Sequence, residues 1–151
     1  VKLFIDGDAL PNLLKPILLK AINRLNLETI VISNKKINVG KSKNIIYKVV
    51  DLGADEADNH IVKLVKEGDL VVTADIPLAD RIIEKNAHAL DHRGELYTKE
   101  NIKQYLAMRN LMSEIRDSGE ILKGASAFST KDAQNFANQF NAFLQKYIKT
   151  S

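Results

Sequence analysis

The chain contains no cysteine. Disulfide frameworks, thiolate nucleophiles and thiolate metal sites are therefore excluded, and the composition fits a reducing, cytoplasmic setting. Histidine is scarce: His60, His88 and His92 are too few and too scattered for a zinc site. No apolar run approaches the ~20 residues that span a bilayer, so no membrane partner is expected. Asp6 and Asp8 interrupt any apolar stretch near the start, which argues against a secretory signal.

What is present describes one globular unit. The 151 residues suit a single domain with a full core. The apolar share of 45% and charged share of 27% are ordinary for such a domain. The net charge of +3 permits a nucleic-acid partner without requiring one. Its distribution is more informative. Residues 35–48 hold Lys35, Lys36, Lys41, Lys43 and Lys48 with no acid, whereas the acids gather in short clusters elsewhere.

The patterning alternates strand and helix. Lys2–Asp6 reads as a buried strand that ends in Asp6-Gly7-Asp8. A helix over Pro11–Asn26 carries Leu14, Ile17, Leu18, Ala21, Ile22 and Leu25 at helical spacing. Pro16 lies awkwardly inside it and predicts a kink in the first turns. Thr29–Ser33 and Ile45–Val50 are strands. A helix over Asp55–Glu67 has Gly68 placed to cap its C-terminus. Leu70–Thr73 is a fourth strand, Asp75 opens a helix to about Lys85, and Ala87–Leu90 is a short fifth strand. Continuous apolar strands separated by helices predict an α/β fold, a three-layer, mostly parallel sheet with helices on both faces.

Two further helices are expected. Thr98–Asp117 should turn Ile102, Tyr105, Leu106, Met112 and Ile115 inward, and a loop over Ser118–Ser129 follows. Thr130–Ile148 is strongly amphipathic, with Ala133, Phe136, Ala137, Phe140, Phe143, Leu144 and Tyr147 on one stripe, read as core packing. The pair forms a C-terminal helical extension at about 98–148 that packs on the sheet within the same domain.

In a parallel sheet the loops leaving the C-terminal strand ends converge on one edge, where ligands bind. Acids occupy three such places. Asp6 and Asp8 follow the first strand, Asp55, Glu56 and Asp58 open the helix after the third, and Asp75 follows the fourth, with Asp80 further along. Crowded carboxylates are tolerated when some hold protons or a cation neutralises them. An all-oxygen set suits Mg²⁺ or Mn²⁺. Taken singly, several acids have structural explanations: Asp55 and Asp75 as helix N-caps, Glu56 and Asp58 in a first turn. A strand-end pair such as Asp6 and Asp8 has no cap to serve. Thr73 could orient a ligand or simply suit a strand. Arg93, Asn59, Arg109 and Arg116 are candidate phosphate partners or ordinary surface residues, and the lysine-rich loop could touch a nucleic-acid backbone.

Four blocks together resemble the YaiI/YqxD family of bacterial proteins: Phe4-Ile5-Asp6-Gly7-Asp8-Ala9-Leu10-Pro11-Asn12, Gly53-Ala54-Asp55-Glu56-Ala57-Asp58-Asn59, Gly68 through Ala79, and Arg93-Gly94-Glu95-Leu96-Tyr97-Thr98. The helix around Asn135-Phe136-Ala137-Asn138 is similar as well. Gly7 and Leu10 stand where the family usually has Ala and Cys, so no thiol role operates here. Gly124-Ala125-Ser126 replaces a Gly-Gly-Pro-like turn. The family is similar to the PIN-like superfamily, whose better-known members are metal-dependent ribonucleases. That resemblance implies a metal set of Asp6, Asp58 and Asp75, with Asp8, Asp55, Asp80 and Thr73 assisting. Arg93, Asn59 and Arg109 would contact RNA or another nucleic acid. Resemblance at this level implies fold better than activity. The expected activity is therefore a Mg²⁺- or Mn²⁺-dependent phosphodiesterase. The alternatives are a non-catalytic nucleic-acid or protein-binding module, or a phosphatase of the haloacid-dehalogenase type built on Asp6-Gly7-Asp8. A homo-oligomer stays open.

Overall fold

In the computed structural model, which describes residues 1–51, 53, 55–119 and 127–148, six strands form one sheet. They are β1 (Leu3–Asp6), β2 (Thr29–Ser33), β3 (Ile45–Val49), β4 (Leu70–Val72), β5 (His88–Leu90) and β6 (Leu96–Tyr97), ordered β3-β2-β1-β4-β5-β6. All neighbours run parallel except β5 and β6. The chain builds outward from β1 to β3, then crosses back to lay β4 on the other side of β1. The β1/β4 boundary is therefore the switch in strand order, where the crevice of such sheets opens.

Alternation along the strands sorts the core into two layers. Leu3 and Ile5 of β1 face α1 (Lys15–Leu25) and α5 (Thr130–Tyr147), joining Leu18, Ile22, Phe136, Phe140 and Leu144. Phe4 faces α2 (Glu56–Leu64) and α3 (Ile76–Glu84), joining Ile61, Leu78 and Ile82. This is the three-layer α/β architecture that the continuous apolar strands predict, and it is consistent with a PIN-like fold. The α5 stripe is core, as expected: Ala133, Phe136, Phe140, Phe143 and Leu144 are buried, and Phe136 stacks on Phe140 at 5.2 Å. Its first turn is fixed by a reciprocal capping box between Ser129 and Asp132.

Several boundaries differ from the expectation for physical reasons. Pro16 does not kink a helix. A 3-10 turn over Asn12–Leu14 precedes α1, so Pro16 sits in the first α-helical turn, where no N–H is needed. Gly68 does not cap α2. That helix ends at Leu64 because Val65 turns extended and buries its side chain. Gly68 instead takes φ +87° in a turn closed by the Asp69 N–H on the Lys66 carbonyl. Strand β6 goes beyond the five strands expected, because two residues carry no periodicity.

The largest difference is α4 (Ile102–Asp117). Of the residues expected inward, only Ile102 is buried; Tyr105, Leu106 and Ile115 are half-buried and Met112 is exposed. The start of α4 is anchored on α3 through Lys103, which pairs with Asp80 at 2.7 Å and Glu84 at 3.5 Å. Met108, Leu111 and Met112 lie open beyond it. The expected loop at 118–129, including Gly124-Ala125-Ser126, falls largely outside the described residues.

Candidate metal and nucleic-acid site

Asp6 ends β1 on the same side as Phe4, by simple alternation. That direction carries its carboxylate toward α2 and α3 rather than toward α1. It is 94% withdrawn from solvent, with 6% exposed. Its Oδ2 accepts the Thr73 hydroxyl at 2.8 Å, and its Oδ1 accepts the Asp8 N–H at 3.2 Å. Thr73, one residue past β4, links two acids. Its hydroxyl donates to Asp6 and accepts the Asp75 N–H at 3.0 Å. Asp75 then caps α3, its Oδ1 accepting the Leu78 N–H at 3.1 Å. The capping role expected of Asp75 is real.

Asp58, in the first turn of α2, completes the group. Its carboxyl lies within hydrogen-bonding reach of Asp75 and faces Asp6 as well. Burial first, and then the charges of Asp75 and Asp6, push its pKa up from 3.8 to about 7. Burial likewise lifts Asp6 to about 6; the Thr73 and Asp8 hydrogen bonds oppose this, while the charges of Asp8 and Asp75 add to it. Asp6, Asp58 and Asp75 thus come from three separate stretches of chain and meet at the switch point. They border a cavity of about 390 Å³ also lined by Asp8, Asp55 and Asn34, and among the described residues no lysine, arginine or histidine is on its wall.

The remaining expected residues divide. Asp8 lines the cavity, but both its oxygens accept the Asn34 N–H, at 3.0 and 3.3 Å, which pins the chain leaving β2. Asp55 lines it too and is exposed. Contrary to expectation its side chain does not cap α2: it stands at the N-cap position with a left-handed backbone at φ +66° and makes no side-chain cap bond. Asp80 is in the ion pair with Lys103 and is absent from the wall. Asn59 accepts the Arg81 guanidinium at 2.9 Å on the surface. Arg93 pairs with Asp132 at 2.7 Å and lies over the Phe128 ring at 5.6 Å, tying the β5–β6 turn to α5. Arg109 is exposed on α4. None of these last four lines the cavity. Asn34 does, and the sequence reading passed over it. Its Oδ1 is buried without a hydrogen-bond partner among the described residues. The available cue was its place directly after Ser33 at the end of β2, a C-terminal strand end like those of Asp6 and Asp75.

The donor chemistry fits a hard divalent cation: carboxylate oxygens and an amide oxygen, with the Asp6 and Asp58 pKa values raised first by burial and then by the neighbouring charges. The arrangement is looser than a closed cage. Among the described residues, no three histidine or acid side chains are drawn together tightly enough to grasp one ion. Mg²⁺ commonly takes only one or two protein carboxylates and keeps its waters. The adjoining Asp58 and Asp75 meet that demand, with Asp6 behind them.

Residues 4–146 match the profile described as "Uncharacterized BCR, YaiI/YqxD family". The chain is 68% identical over 148 residues to a UPF0178 protein of Sulfurimonas denitrificans, covering 98% of each. It is 69% identical over 144 residues to a UPF0178 protein of a Sulfurovum species, covering 95% of this chain and 97% of that one. A UPF0178 protein of a Nitratiruptor species is 58% identical over 147 residues, covering 97% of each. No solved structure matches the chain.

Proposed function

The chain belongs to the YaiI/YqxD family, and within that membership we propose that its aspartate cleft holds Mg²⁺ or Mn²⁺ and hydrolyses phosphodiester bonds in nucleic acid, RNA foremost. The observation that carries this reading is the meeting of Asp6, Asp58 and Asp75 at the β1/β4 switch, in a cavity that has no basic side chain on its wall among the described residues. Such a wall repels a phosphodiester unless a cation lies between them. A bound divalent ion supplies a Lewis acid that polarises the phosphoryl group and acidifies water.

The chain's own residues set the rest. Of the acids on the wall, Asp58 and Asp75 adjoin one another and would hold the ion. Asp6 is a positioning residue, braced by Thr73. Burial and the Asp75 and Asp6 charges raise the Asp58 pKa in the metal-free cleft, so an ion would bind there in competition with a proton. The water oxygen would bond to phosphorus and give up its proton to solvent, while the bond to the leaving sugar oxygen breaks and that oxygen takes up a proton from solvent.

A phosphatase using Asp6 as nucleophile is disfavoured. Both Asp6 oxygens are engaged below the surface, and both Asp8 oxygens hold Asn34. A non-catalytic binding module has one observation behind it: Asp6, Asp8 and Asp75 all do structural work in the fold.

End-labelled single-stranded RNA incubated with the protein and Mn²⁺ separates these readings. Cleavage that EDTA stops, and that Asp6→Asn and Asp75→Asn each abolish while remaining folded, is the expected result. Absence of cleavage with both Mn²⁺ and Mg²⁺, or cleavage that survives in both variants, refutes the proposal.

A further inference from the structure

A second cavity adjoins the aspartate cleft. It measures about 540 Å³ and is lined by Ser33, Lys36, Ile37, Asn38, Tyr47 and Val49. Its floor is apolar and open: Tyr47 is 39% exposed and Val49 57%. The two cavities share one short segment, since Ser33 and Lys36 border this one and Asn34 borders the cleft. They also meet at Gly7, between Asp6 and Asp8: a Cβ there would come within 2.8 Å of the Ile37 Cδ1 and 2.9 Å of the Ser33 Cβ, so two residues of the groove lining pack against the acid-bearing turn.

The chemistry around the groove is that of a polyanion partner. Lys35, Lys36, Lys41 and Lys43 are exposed and Lys48 is half-buried. Among the described residues none of the five is in an ion pair, and no acid lies between 35 and 48. An exposed aromatic ring among unpaired lysines is the arrangement that stacks bases while holding phosphates. The volume suits one nucleotide-sized group. The Tyr47 hydroxyl accepts the Val39 N–H at 3.1 Å and donates to the Gly40 carbonyl at 2.9 Å, which fixes the loop and leaves the ring in the groove wall.

We propose that this groove seats an unpaired nucleobase on Tyr47 and Val49 while Lys35 and Lys36 hold the adjoining phosphates, so that a single strand is led across Gly7 into the aspartate cleft. The inference rests on the nucleic-acid reading above and names its substrate as single-stranded.

The test is fluorescence anisotropy with a fluorescein-labelled single-stranded RNA in EDTA, where cleavage plays no part. Val49→Asp places a charge on the exposed floor without touching the loop's hydrogen bonds. Tyr47→Ala removes the ring, and Tyr47→Phe keeps the ring but drops the loop bonds. The expected result is binding weakened about fivefold to a hundredfold by Val49→Asp and Tyr47→Ala, the range one lost base stack produces. Tyr47→Phe should bind within about twofold of the parent. A matched duplex should bind more weakly than the single strand. Unchanged affinity in Val49→Asp and Tyr47→Ala overturns the groove whatever the cleavage assay shows. Loss in Tyr47→Phe equal to that in Tyr47→Ala also overturns it, because loop order then explains the effect. A protein that binds no RNA overturns it too. Dissociation of a dimer by Val49→Asp at unchanged RNA affinity assigns the face to a second copy and overturns it as well. Weakened binding in the groove variants, with no metal-dependent cleavage by the parent, leaves the groove standing and removes the phosphodiesterase.

Discussion

Replacing Asp75 with asparagine should stabilise the protein in alkaline, metal-free solution, although it damages the proposed site. The substitution keeps the helix cap, since asparagine serves an N-cap as well as aspartate and its Oδ1 can still accept the Leu78 N–H. It removes one of the charges facing Asp58 and Asp6. For Asp6, the rise from 3.8 to about 6 corresponds to about 3 kcal/mol at most. Burial is the larger part of that, so the share returned by deleting the Asp75 charge is the smaller one. Asp58 is shifted further but is partly open to solvent, and screening reduces what its shift is worth. The net gain is about 1 kcal/mol, or about 2–4 °C in Tm for a chain of this size. The sign follows from linkage. An acid whose folded pKa is raised binds more protons folded than unfolded, so the stability that Asp6 and Asp58 contribute is greatest below about pH 4 and is lost as pH rises through 6 and 7. The gain should therefore appear at pH 8 and vanish near pH 4, where the cluster is protonated already. Urea denaturation in EDTA at both values measures it. A variant less stable than wild type at pH 8, or one whose stability falls more steeply with pH, refutes the reasoning.

Thr73→Val removes the hydroxyl that bridges Asp6 and Asp75. It should cost about 2 kcal/mol at pH 8, the worth of a hydrogen bond to a buried charge, and less at pH 4, read by the same denaturation series. Gly94→Ala should lower stability by about 2 kcal/mol or more. Gly94 has φ +94° and its added Cβ would lie 2.7 Å from the Asn135 carbonyl oxygen, so thermal unfolding should show the β5–β6 turn pushed away from α5. Mn²⁺ affinity, read by isothermal titration calorimetry, should rise from about pH 5 to about pH 8, because Asp58 in the empty cleft holds a proton up to about pH 7 and must release it to bind the ion; affinity that falls over this range contradicts the assignment.

The fold was legible wherever burial is two-sided. Thr29–Ser33 is entirely buried and its limits were read correctly, because a continuous β-branched run between turn residues has few other readings. The α5 stripe was equally clear, since Phe136, Phe140 and Phe143 recur at helical spacing and join one core layer, while Tyr147 at its end, also read as core, is exposed. Elements decided by tertiary contact were not legible. In α4 apolar residues recur along the helix, yet among the described residues only Ile102 is buried, because the helix packs on α3 at its start, and no local pattern encodes where that support ends. In the candidate site, Asp6, Asp58 and Asp75 were found because strand ends converge. The basic residues were misplaced: Arg93, which was given to substrate, pairs with Asp132 nearly forty positions away, a contact invisible to spacing. Asn34 was missed because an amide lacks the charge that drew attention to its lysine neighbours.

A crystal soaked in MnCl₂ and measured near the manganese absorption edge would bear most directly on whether the cleft is a cation site. The account predicts one strong anomalous peak between the carboxylates of Asp58 and Asp75, with Asp6 close behind and metal–oxygen distances of about 2.0–2.2 Å. A map with no peak there, while the three acids keep their present hydrogen bonds, would contradict it.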